Sequence, residues 1–239
     1  MKIWFMYILV GASLMACSAH FIPEYKFSAR VIQNDTSSKS QTNSATDLAY
    51  FIQPYQDTLH QEFDEVLAST PTALIVSRPS SNLMNWCADA LLSSMTANKR
   101  LSEPVICILN TGGLRSSFGK GPLTLADFYK LMPFDNAVTW VHLPVERISQ
   151  IEKYLSISGG EPLANCIYRG GTLKIPSLLA THAYIWVLTS DYLANGGDQM
   201  SFFKDLEKQE TGILLRDIFI AQAKNQGVLV LDTVQRYIK

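Results

Sequence analysis

Asn110-Thr111-Gly112-Gly113-Leu114-Arg115 places two glycines between an amide and a guanidinium. It is the first of three segments whose residue types could do chemistry. The second is Met132-Pro133-Phe134, and the third is Asp191-Tyr192-Leu193-Ala194-Asn195-Gly196-Gly197-Asp198. Paired glycines let a backbone bend sharply with a ligand close against it. A guanidinium suits a phosphate because its planar donors can bond two oxygens at once. Phe134 and Tyr192 offer flat faces on which a base can stack, a contact that demands no particular base. Asp198 could accept hydrogen bonds from two adjacent hydroxyls, as on a ribose. Taken singly, each segment has a plainer reading: a tight turn with a solvated arginine, a core phenylalanine, and good turn chemistry in Asn-Gly-Gly-Asp. Taken together they suit a nucleoside or nucleotide.

These segments need elements to position them. Apolar residues recur at helical spacing over Leu48 to Leu67, and Thr72 to Ser77 is a short β-branched run that reads as a strand. Pro79-Ser80-Ser81-Asn82 supplies a turn and a cap before a helix over Leu83 to Met95, and Val105 to Leu109 reads as a strand running into the Asn110 turn. Leu123 to Leu131 reads as a helix that Pro133 stops, presenting Phe134 at its edge. Asn136 to Leu143 alternates as a strand, Val145 to Leu155 is helical, Thr172 to Ile175 and Tyr184 to Thr189 are strands, and Ile213 to Lys224 is the last long helix. This interspersed order predicts an α/β (α+β) fold, a single layered domain of mixed sheet and helices.

In order and spacing, the three segments resemble the C-terminal, substrate-binding domain of the 5′-nucleotidase family, over about Leu48 to Lys239. Thr111 and Asp135 stand where that family usually has glycine. The resemblance implies that Asn110 contacts the nucleoside and Arg115 the phosphate or ribose. It makes Phe134 and Tyr192 the two faces of a base sandwich, with Asp198 on the ribose hydroxyls. Upstream, Arg78-Pro79-Ser80-Ser81-Asn82-Leu83 resembles the family's first motif, with Ser80 for the usual glutamate and Met84 for a glycine, and implies Arg78 as a second phosphate-side cation. Asn85 and Asp89 share a helix face and read as residues that order their neighbours. Cys87 and Cys107 read as buried thiols; the resemblance also implies a candidate disulfide between them, as in some animal members. Catalysis in the family uses two metal ions in a separate metallophosphoesterase domain. His20, His60, His142 and His182 are isolated from one another, so no metal site is expected in this chain, and divalent metals are expected in a partner chain. No catalytic residue is assigned.

The first residues read as an address. Lys2 is followed by the apolar run Ile3 to Val10, and Leu14-Met15-Ala16-Cys17 resembles a bacterial lipobox. The expected organisation is a lipoprotein signal peptide over 1–16, a lipidated Cys17 with a polar tether over 17–47, and the 5′-nucleotidase C-terminal-like domain over 48–239. By the same resemblance, Ser18 in place of an acidic residue after the cysteine implies the outer membrane, facing the periplasm. A net charge of −1 provides no basic field for nucleic acid, and 47% hydrophobic residues fit a packed globule.

Three function classes follow. One is the recognition half of a split 5′-nucleotidase, working with a separate metallophosphoesterase chain. Another is a stand-alone periplasmic nucleotide or nucleoside binder, and the third is a former nucleotidase domain kept for structure or contacts.

Overall fold

A computed structural model of the chain describes residues 48–56 and 62–239. The expected signal peptide, Cys17 and the tether lie outside the described residues. The chain divides into two units, Met1–Tyr50 and Phe51–Lys239; of the first, only residues 48–50 are described, and they are helical.

The second unit is built on a five-stranded sheet in the spatial order β5 (Leu163–Ala164), β2 (Val105–Ile108), β8 (Tyr184–Ser190), β4 (Ala137–Pro144) and β9 (Glu207–Leu214). β2 and β8 run parallel, and the other three pairings are antiparallel. Side chains alternate across a strand. Val105 and Cys107 therefore join a core on one face with helices α1 (Asn82–Thr96), α2 (Leu125–Leu131) and α5 (Leu215–Gln226), while Ile106 and Ile108 join a second core on the other face with α3 (Ile148–Ser158). All four β2 residues are buried, which is why this strand is a continuous apolar run. Full burial of a side chain such as Ile106 is worth at most about 1.5–3 kcal/mol. Two smaller sheets complete the unit: β1 (Val66–Thr70) against β3 (Gly121–Thr124), and β10 (Tyr237–Ile238) beside β6 (Ile167–Arg169) and β7 (Thr172–Lys174). The unit is the layered α/β arrangement that the alternation of elements predicts.

Several element bounds differ from the sequence expectation. Residues 48–56 are helical, but Val66 and Leu67, counted with that helix, belong to β1, which pairs with β3. Thr72 to Ser77 is not a strand; only Leu74 exchanges backbone hydrogen bonds, with Phe118. Helix α2 starts at Leu125, because Gly121–Thr124 pairs with β1 and the Thr124 N–H donates to Asp127 Oδ2 at 2.9 Å. At the far end, Glu207–Leu214 forms β9 before α5 begins. Its charged, largely exposed edge residues carry no apolar alternation to read. Asn85 and Asp89 order a neighbouring segment as expected. The Asn85 amide donates to the carbonyls of Asp232 and Val234, and Asp89 receives both terminal nitrogens of Arg236 at 2.7 and 2.6 Å.

Cys87, Cys107 and Cys166 are free, buried thiols, so the disulfide implied for Cys87 and Cys107 is not formed in this structure. Burial raises all three thiol pKa values, Cys166 up to about 12 although Arg236 opposes the shift. A buried thiol gains more as a small hydrophobe than as a thiolate. In a Cys17→Ser protein at pH 8, no thiol is expected to react with an aromatic disulfide reagent in the native state, and three are expected in denaturant. A denatured count of one would restore the bridge.

Candidate functional site

The parallel pairing of β2 and β8 brings the first and third motifs together. Parallel neighbours end at the same edge of a sheet, and the crevice beyond strand carboxyl ends is where open α/β sheets present ligand sites. β2 runs out into Asn110 and the 3-10 turn Thr111–Gly113, while β8 runs out into the helix Asp191–Ala194 (α4) and the glycine bend. β4 is antiparallel to β8, with Val138 opposite Ser190, so its start lies at that edge and delivers Phe134 and Asn136 there. Asn110, Gly112, Gly113, Arg115, Phe134, Asn136, Tyr192 and Asp198 line one recess of about 410 Å³.

Phe134 is 43% exposed and Tyr192 47%, so neither ring is a core side chain. The Tyr192 ring covers Gly197, where an added Cβ would lie 2.5 Å from ring atoms; glycine is required for this close approach. The Tyr192 hydroxyl donates to Asp198 Oδ1 at 2.8 Å and accepts from the Asp198 N–H at 3.2 Å. Asp198 Oδ2 accepts from Asn110 Nδ2 at 2.5 Å. Each carboxylate oxygen thus has one internal donor that fixes its direction and keeps acceptor capacity for a ligand. Asp198 itself adopts a left-handed conformation, φ 47°, which aspartate tolerates better than most residues. At Gly113 a Cβ would come within 2.7 Å of Asn110 Oδ1, so this glycine leaves room for the amide. Arg115 is exposed, with one Nη1 bond to the Gly112 carbonyl at 3.3 Å and its backbone N–H on Leu131 O at 2.8 Å. Its guanidinium retains donors for an anion.

Arg78 is not among the residues lining this recess. Its Nη2 meets Glu161 Oε1 at 2.6 Å and its Nε donates to Gly160 O at 2.9 Å, at the side of a neighbouring groove of about 570 Å³ that meets the recess at Asp198. The motif reading missed Glu161, whose side chain is wholly buried. Its other oxygen accepts from the Thr111 N–H at 2.6 Å and hydroxyl at 2.8 Å, tying the turn that carries Asn110 to the Arg78 segment. The hydroxyl of Thr111, at a position where the resembled family has glycine, is therefore put to use. Burial, followed by the Glu161 charge, raises the pKa of Tyr154, whose hydroxyl donates to Glu161 Oε1. Arg216 was missed as well; it bonds the carbonyls of Met132 and Phe134. A sequence signal for Glu161 existed only in the Gly159-Gly160 pair before it, which marks a turn but no partner. Among the described residues, no group of three or more His, Cys, Asp or Glu side chains is arranged to hold a metal ion.

Residues 76–183 match the family model of the NAD nucleotidase C-terminal domain. Among curated proteins, the chain is 26% identical over 243 residues to the trifunctional nucleotide phosphoesterase protein YfkN of Bacillus subtilis, covering 87% of this chain and 16% of that protein. It is 21% identical over 214 residues to an apyrase of Tabanus yao, covering 74% and 38%. The chain therefore spans well under half the length of these curated relatives. Among solved structures, a 5′-nucleotidase precursor from Thermus thermophilus superposes with a TM-score of 0.66 at 22% identity, covering 82% of this chain and 43% of that one. The NAD nucleotidase of Haemophilus influenzae gives 0.60 at 15% identity, covering 81% and 42%. At these identities the structures establish the fold. In sequence and in fold, the chain is similar to the C-terminal domain of 5′-nucleotidases.

Proposed function

We propose that this chain, built like the C-terminal domain of 5′-nucleotidases, is the nucleotide- or nucleoside-recognising half of a split 5′-nucleotidase. The observation that carries this reading is the convergence of two open aromatic rings, Phe134 and Tyr192, with the oriented carboxylate of Asp198 in one recess. In this reading the rings hold the base, Asp198 and Asn110 hold the ribose, and Arg115 meets the phosphate. Hydrolysis then needs a nucleophile that these residues do not supply. A dinuclear metal site on a separate phosphoesterase chain would activate water and stabilise an in-line displacement, and positioning by this chain would add to the rate. The outer membrane, by way of a lipid on Cys17, is the proposed location; fatty-acid labelling that persists in Cys17→Ser would refute the anchor.

The expected result with the purified chain is no phosphate release from nucleoside monophosphates, even with added zinc or manganese. Release is expected when a cognate metallophosphoesterase chain is mixed in, and Arg115→Ala should reduce it. Metal-dependent turnover by the homogeneous chain alone would sink the split-enzyme reading. Ligand binding without association with any such chain would favour the second reading, a stand-alone periplasmic binder, which rests on the same recess.

A further inference from the structure

We propose that Arg216 and Asp135 form a clamp that positions Phe134 for stacking, an inference that rests on the reading of the recess as a nucleotide site. Phe134 is 43% exposed, so core packing does not hold its ring in place. Its direction is set by the backbone of the turn between α2 and β4. That turn is gripped from one side by a single buried guanidinium at the start of α5. Arg216 Nη1 donates to the carbonyls of Met132 at 3.1 Å and Phe134 at 3.4 Å, and Nη2 pairs with Asp135 Oδ1 at 2.6 Å. The guanidinium also lies over the Tyr129 ring, 4.2 Å from its centroid. Beside it, the Leu215 N–H donates to Asn136 O at 3.0 Å. Residues on both sides of the ring, and the carbonyl of Phe134 itself, are thus tied to one helix end.

Asp135 stands where the resembled family usually has glycine, and its side chain is 77% exposed. A carboxylate there has no packing role; its partner is Arg216. Lysine cannot reproduce the arrangement, because a single ammonium lacks the planar fork that reaches two carbonyls and a carboxylate together.

The test uses the full chain, with a purine nucleoside 5′-monophosphate and ribose 5-phosphate as probes, titrated by NMR. Arg216→Lys is expected to weaken the nucleotide at least about fivefold, the lower end of what losing one stack costs. Binding of ribose 5-phosphate, which has no base to stack, should stay within about twofold, where a general structural role would weaken both probes alike. Asp135→Ala, at an exposed position, should weaken the nucleotide alone by about two- to fivefold. If Arg216→Lys does not fold, Asp135→Ala decides. Equal effects on the two probes, or none on either, would overturn the clamp. Phe134→Ala serves as the reference. If it weakens the nucleotide while the clamp variants do not, only the clamp falls; if Phe134→Ala is itself silent, the stacking reading falls, and the clamp with it.

Discussion

Replacing Glu161 with alanine is expected to lower stability by about 2–4 kcal/mol, which corresponds to roughly 5–15 °C in melting temperature for a domain of this size. The carboxylate is wholly buried and accepts four hydrogen bonds: from Arg78 Nη2 at 2.6 Å, the Tyr154 hydroxyl at 3.3 Å, and the Thr111 N–H and hydroxyl at 2.6 and 2.8 Å. Arg78 is 46% exposed, so water can take back its guanidinium and that pair accounts for little of the loss. Most of the cost falls on Thr111 and Tyr154, whose donors lose their shared acceptor. The backbone beside Glu161 has little room to adjust, because Gly160 sits against Pro79; a Cβ at Gly160 would come within 2.0 Å of the Pro79 carbonyl oxygen. Glu161→Gln should lose less, since it keeps the volume and one acceptor. Urea unfolding of the three proteins is the measurement. A loss below about 1 kcal/mol for Glu161→Ala would mean that the turn holds its shape without this anchor.

For Asp198→Ala the expected result is a loss of nucleoside monophosphate affinity of about 1.5–3 kcal/mol, or roughly 10- to 150-fold, with the fold intact. The carboxylate is oriented by Asn110 and the Tyr192 hydroxyl, so its remaining acceptor sites are already aimed when a ligand arrives. A preorganised charged acceptor binds more tightly than one that must be ordered on binding. Asp198→Asn keeps the shape and one acceptor oxygen and should fall between wild type and alanine. Calorimetry with a nucleoside monophosphate measures the loss, and the free base, which has no ribose, should bind Asp198→Asn as it binds wild type. An Asp198→Ala protein that holds the nucleotide as tightly as wild type would remove Asp198 from the ribose role.

Sequence alone was enough for features whose cause is local. The glycine pair at Gly112 and Gly113, the proline that stops α2 before Phe134, the cap ahead of α1 and the apolar runs of β2 and β8 each follow from steric or hydrophobic rules acting over a few residues. From those rules came the alternation of helix and strand, while the five residues Asn110, Arg115, Phe134, Tyr192 and Asp198, which share one recess, were singled out by their residue types together with the resemblance to the 5′-nucleotidase C-terminal domain. Features with distant causes were not legible. Val66–Thr70 is a strand because Gly121–Thr124 pairs with it, and β9 is one because β4 offers a free edge; neither partner is visible in a local window. The pairing of Arg78 with Glu161, 83 residues later, shows in no motif. Arg216 carries no motif, and its hold on the Phe134 turn spans 82 residues. Residue types and turn chemistry are properties of the chain itself, whereas which charge is already neutralised and which ring is held in place depend on contacts that form only when distant segments close on one another.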